Sequence, residues 1–107
     1  MTGEILIDTS TLIDFFQGAA DIKTKEILSS SELTISVITF GELYKFLLKT
    51  GKTKLWETYK SKLEKYKLIE VTQKISERAA ELAYMHGLSM ADSLIYSTAL
   101  ENNLTLL

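Results

Sequence analysis

Asp8, Glu42 and Asp92 are the residues of this 107-residue chain best placed by type and spacing to do chemistry together. Asp8 ends the apolar run Ile5-Leu6-Ile7 and is followed at once by Thr9-Ser10-Thr11. Glu42 lies one turn into the helix expected after a strand at residues 33–37, and Asp92 one turn into the last expected helix. Should the three converge, like charges would raise one another's pKa unless a cation shared the site. There is no cysteine and only one histidine, so the ligands would be hard oxygens. Such a site suits Mg²⁺ or Mn²⁺ with several retained waters and does not resemble a zinc site. Metal-bound water attacking a phosphodiester is its natural chemistry, with the ion also stabilising the developing charge. Each acid has a structural reading as well. Asp, Ser and Thr are good helix N-caps, and Thr39-x-x-Glu42 and Ser89-x-x-Asp92 both have capping-box spacing. A helix N-terminus favours an ionised carboxylate under either reading, so both stay open.

Other chemistries fit less well. His86 sits on an apolar helical stripe, which points to a core or rim position. Without a second histidine, a Ser-His-Asp arrangement could use only His86. No glycine-rich phosphate loop is present. Asp8 as a phosphoacceptor is a minor alternative, because the common hydrolase version wants a second Asp two residues on, where this chain has Ser10.

The elements that must position these acids follow from periodicity. Ile5-Leu6-Ile7 reads as a strand buried on both faces, central in a parallel sheet. Asp8 would then lie at its carboxyl end, where open α/β sheets place ligands. Residues 12–16 form a short helix stopped near Gly18, and residues 19–30 a second, with Ile22, Ile27 and Leu28 as its apolar side. Leu33 to Val37 reads as the second strand. Phe40, Leu43, Tyr44, Leu47 and Leu48 recur at helical spacing, starting near residues 36–39 and ending at Thr50-Gly51. Trp56, Tyr59, Leu63 and Tyr66 form the stripe of a fourth helix. Residues 68–71 are a third strand, and Thr72 caps a helix lined by Ile75, Ala79, Leu82 and His86 that stops at Gly87. The last helix starts at Ser89 with Leu94, Ile95, Thr98 and Ala99 inward, and residues 104–107 are a fourth strand. Strands alternating with helices predict a three-layer α/β fold: a parallel sheet with helices on both faces and right-handed crossovers.

Length and composition fit one domain, with 46% hydrophobic and 24% charged residues. No apolar run approaches the ~20 residues of a membrane helix, and no leader pattern opens the chain, so no membrane partner is expected. The lack of cysteine fits a reducing compartment, and a cytoplasmic protein is the default. The net charge of −2 is unevenly spread. Residues 45–67 carry eight lysines against Glu57 and Glu64, a local +6, and the rest of the chain carries −8. This segment is either a solvated helix face or a surface that attracts a polyanion, with Lys45 and Lys49 the candidate contacts to an RNA backbone. The chain ends inside an apolar strand with no closing element, so a C-terminal truncation is expected.

Three stretches carry a resemblance to a known family: Ile7-Asp8-Thr9-Ser10, Gly41-Glu42-Leu43, and the run from Ala91 to Leu100, ADSLIYSTAL. In this order and spacing, and over essentially the whole chain, the sequence resembles a PIN domain, most closely the small VapC-type toxins of prokaryotic toxin–antitoxin pairs. The resemblance implies a Mg²⁺- or Mn²⁺-dependent endoribonuclease. Asp8 and Asp92 would match the metal-binding aspartates, and Glu42 the acid that supports the metal and orients the attacking water. Ser10 matches a small polar position that supports the first aspartate. It also implies a homodimer and a cognate antitoxin that covers or enters the acidic site. After residues 104–107 the family typically continues with a Thr, one or two further acids and a last strand, all beyond Leu107. The alternative is a catalytically incomplete PIN-like module that acts by binding RNA or a protein partner.

Overall fold

The computed structural model describes residues 4–107. Its elements are β1 (Ile5–Leu6), α1 (Thr9–Phe16), α2 (Ile22–Ser30), β2 (Leu33–Ser36), α3 (Val37–Lys49), a 3₁₀ turn (Thr53–Leu55), α4 (Trp56–Leu63), β3 (Lys67–Ile69), α5 (Gln73–His86), α6 (Met90–Glu101) and β4 (Thr105–Leu106). The four strands are all parallel, in the order β3-β2-β1-β4. Ile5 pairs with Leu33 on one side and Thr105 on the other, so β1 is central. The chain steps outward from β1 to β2 and β3, then returns to the far side of β1 to lay down β4. That reversal makes the carboxyl ends of β1 and β4 the switch point of the sheet, where crossovers diverge and leave a crevice.

Alternation along β1 sets up the three layers. Ile5 and Ile7 belong to one core with Ile35 of β2 and with Leu12, Leu28, Leu43, Leu47, Tyr59 and Leu63, contributed by α1 to α4. Leu6 points to the other face and packs with Ile95 and Ala99 of α6. Leu6, Ile7, Leu12, Leu43 and Leu47 are fully buried, each worth about 1.5–3 kcal/mol of transfer free energy.

Several boundaries and faces differ from the sequence expectation. α2 starts at Ile22, because Asp21 caps it by accepting from Thr24 N at 2.7 Å, and Ile22 itself is exposed. Val37 opens α3 instead of extending β2, since Ser36 takes the N-cap. Thr34 and Ser36, the polar positions of β2, are both buried, as expected for a strand covered on both faces. Tyr44 and Leu48 are exposed, leaving Leu43 and Leu47 to anchor α3. Tyr66 lies beyond the end of α4, and β3 begins at Lys67 with its Leu68 exposed at the sheet edge. His86, expected at the core or rim, is exposed in the last turn of α5. Gly87 then takes φ +64, the left-handed cap that ends the helix.

Candidate active site

β1 delivers Asp8 to the switch point, where its N–H donates to Leu107 O across to β4 at 3.0 Å. Asp8 is also the N-cap of α1: its Oδ1 accepts from Thr11 N at 3.0 Å and from Ser10 Oγ at 3.1 Å. Both bonds fall on the same oxygen, so capping leaves Oδ2 out of these contacts. The capping and ligand readings of Asp8 are thus compatible. Ser10, exposed, fixes the carboxylate's orientation.

Glu42 is in a different situation. The cap of α3 is Ser36, which accepts from Ile38 N at 3.0 Å, one turn earlier than the spacing from Thr39 suggests. Thr39 is buried instead, its hydroxyl 3.2 Å from that of Thr9. Thr9 Oγ1 donates to Glu42 Oε1 at 2.5 Å, a contact between residues 33 apart in sequence. Glu42 is therefore aimed by α1 and does not serve its own helix end, so the capping box over Thr39 and Glu42 is absent.

Asp92 occupies the first turn of α6, whose N-cap Ser89 accepts from Asp92 N at 3.1 Å. That is the hydroxyl half of a capping box. The Asp92 side chain itself is exposed and has no hydrogen-bond partner among the described residues.

All three acids line one cleft of about 230 Å³, together with Thr9, Ser10, Ile13, Ile95 and Tyr96. They arrive from the β1–α1 junction, α3 and α6, and no Lys, Arg or His is among the lining residues. Three carboxylates facing one space with no cation on the wall repel one another, and a divalent ion is the species that would relieve this. Among the described residues no three acids or histidines lie close enough to chelate an ion jointly. The donor set still fits Mg²⁺ or Mn²⁺ in kind, because Mg²⁺ is held by one or two carboxylates and keeps most of its waters. It does not fit zinc, which would want nitrogen or sulfur ligands.

Lys45 and Lys49 are exposed on α3, three and seven residues after Glu42 and so on the same flank of that helix. His86 is not part of the cleft wall. Thr9 is the site residue that sequence reasoning did not single out for a role, and Thr39 was read only as a helix cap. The signal was the hydroxyl run after Asp8, which capping alone seemed to explain. Ile13, Ile95 and Tyr96 gave no separate signal, because a cleft wall and a core stripe share the same periodicity.

At the other end of α6 from Asp92, Glu101 bridges to Arg78 and Lys74 of α5. The Arg78 hydrogen bond, then that of Lys74, holds its carboxyl below the ordinary value.

The family model for the PIN domain matches residues 5–107. Among solved structures, a toxin–antitoxin complex from Klebsiella pneumoniae superposes with TM-score 0.78 at 28% identity, covering 95% of this chain and 82% of that one. VapBC2 from Rickettsia felis, bound to a DNA fragment from its promoter, gives 0.79 at 21% identity, with 96% and 84% covered. VapC20 of Mycobacterium tuberculosis, a toxin that cleaves the sarcin–ricin loop, gives 0.75 at 17% identity, with 94% and 84% covered. No curated protein matches the chain significantly. The parallel sheet, the helices on both its faces and the matching family model place this chain in the PIN-domain family.

Proposed function

We propose that the chain is the toxin of a toxin–antitoxin pair, a Mg²⁺- or Mn²⁺-dependent endoribonuclease acting in the cytoplasm. PIN-domain proteins of the VapC type are generally ribonucleases. The observation that carries the reading is the cleft itself: three carboxylates from three separate elements, with no basic residue among them.

Asp8 and Asp92 would hold the ion, and Ser10 steadies Asp8 through its 3.1 Å hydrogen bond. When bound, the ion would neutralise the scissile phosphate and acidify a water. Glu42, oriented by the Thr9 hydroxyl, directs the attacking water and takes up its proton. Lys45 and Lys49, exposed on the same flank of α3 as Glu42, hold neighbouring phosphates. The carboxylates also supply an acidic target for a basic segment of a cognate antitoxin, and a homodimer is the proposed assembly. No helix is long and apolar enough to cross a membrane among the described residues.

The test is RNA cleavage by purified protein with Mg²⁺, with Mn²⁺ and with chelator, beside Asp8→Asn and Asp92→Asn. Cutting that requires the ion and both aspartates is expected. RNA binding without any metal-dependent cutting would instead establish a binding module.

A further inference from the structure

α3 carries on its other flank a feature that the carboxylate chemistry does not use. Tyr44 is 38% exposed, although its ring belongs to an aromatic cluster. Trp56 lies 4.7 Å from it, centroid to centroid, and Phe40 packs edge-on to Trp56 at 5.2 Å. Phe40 and Trp56 are half-buried; Trp56 packs against the Tyr44 ring and Phe40 backs Trp56, so Tyr44 stays partly exposed on a braced support. Lys45, Lys49, Lys52 and Lys54 border this cluster along the chain. All four are exposed, and none is in an ion pair among the described residues. A partly exposed aromatic ring with unpaired lysines on the neighbouring turns of the chain matches a nucleobase on a phosphodiester chain better than an apolar protein surface, which would have to desolvate those lysines.

We infer that Tyr44, backed by Trp56 and Phe40, is a stacking platform for an unpaired base of single-stranded RNA running into the acidic cleft. The inference rests on the ribonuclease reading and adds to it a base-binding residue outside the cleft. Tyr44 follows Glu42 by two residues, about 200° around the helix, so platform and cleft lie on opposite flanks of α3. Between them is Gly41, exposed, where even a Cβ would meet nothing within 4 Å. A strand crossing α3 there has only the helix width of about 10 Å to span, with Lys45 beside the crossing. A duplex keeps its bases stacked inside and has none to place on Tyr44, so the platform selects unpaired segments.

Trp56 is the only tryptophan, so its fluorescence reports on the platform directly. The experiment titrates the metal-free protein, in chelator, with three probes: short oligouridylate, a ribose-phosphate chain of equal length lacking bases, and duplex RNA. Wild type, Tyr44→Phe and Tyr44→Ala are compared. Oligouridylate should quench Trp56 and bind more tightly than the baseless chain or the duplex. Tyr44→Ala should weaken oligouridylate by about 5- to 150-fold, the range for one lost base stack, and leave the baseless chain unchanged. Tyr44→Phe should bind like wild type. Equal affinity for oligouridylate and the baseless chain would overturn the proposal. So would a Tyr44→Ala variant that binds oligouridylate normally, or one that loses only self-association in sedimentation. No ion is present and no cleavage is read, so the two readings fail separately. Protein that cuts RNA but ignores Tyr44 refutes the platform alone, and protein that binds through Tyr44 but never cuts refutes the nuclease alone.

Discussion

Asp8 is both the N-cap of α1 and a wall of the acidic cleft, and two substitutions separate those roles. Asparagine at this position keeps a side-chain oxygen for Thr11 N but loses the charge, and alanine loses both. Asn and Asp cap about equally well, whereas replacing either by Ala costs about 1 kcal/mol. For a domain of this size 1 kcal/mol moves the melting temperature by roughly 4–8 °C. Without metal, Asp8→Ala should therefore melt roughly 4–8 °C below wild type. Asp8→Asn should stay close to wild type, because the charge–dipole attraction it gives up, about 0.3–1 kcal/mol, is offset by relief of repulsion from Glu42 and Asp92. With Mn²⁺ at a hundred times its dissociation constant, linkage stabilises wild type by about 2.7 kcal/mol, or roughly 10–20 °C. Neither variant should gain this. The assay is thermal unfolding followed by far-UV circular dichroism, with chelator and across a Mn²⁺ titration. Asp8→Asn rising with Mn²⁺ as far as wild type would remove Asp8 from any metal site. Asp8→Ala melting level with Asp8→Asn in chelator would show that the cap contributes nothing.

Other consequences follow from single contacts. Thr9→Val removes the donor to Glu42 and the partner of the Thr39 hydroxyl, so it should cost about 1.5–3 kcal/mol in urea unfolding; in a double-mutant cycle with Glu42→Ala, which removes the acceptor, simple additivity would show the contact to be inert. Ser93 Oγ is buried without a hydrogen-bond partner among the described residues. Ser93→Ala in mid-helix should therefore stabilise by about 0.5–1 kcal/mol, and a loss of stability would mean that the hydroxyl is satisfied by bound water. Glu101 has its folded pKa held below the ordinary 4.5 by Arg78 and Lys74, so its contribution is full above that value and fades as pH falls through the lower folded pKa. Glu101→Gln should lower the melting temperature at neutral pH and flatten the acid limb of the melting-temperature profile; an unchanged slope there would assign the acid sensitivity to other groups.

How much of this was legible in the chain depends on the range of the interaction that decides it. Element order, the parallel α/β class and the caps at Asp8, Thr72, Ser89 and Gly87 are local, set by side-chain period and by hydroxyl or glycine chemistry within one turn. The charge asymmetry of residues 45–67 and the family motifs were equally open to reading. Glu42 was harder, because Thr39 stands at capping distance in sequence. Only the packing of α1 on α3 brings Thr9, 33 residues away, to the carboxylate and turns Thr39 inward. Thr34 and Ser36 illustrate the same limit. Alternation alone does not say whether they meet water, and the position of β2 between β3 and β1, with helices above and below, buries both faces. The apolar stripe of α3 was likewise read too wide. Periodicity locates the centre of the buried arc, while the width of that arc depends on how many neighbours close over the helix. Trp56 covers only part of Tyr44, and Leu48 is left about half exposed. The sequence alone determined which residues could do chemistry and on which element each would ride. The tertiary structure decided that three carboxylates share one cleft and that an aromatic ring stays partly exposed on the opposite flank of α3, because both depend on contacts whose partners lie dozens of residues apart or on how far neighbours cover a surface.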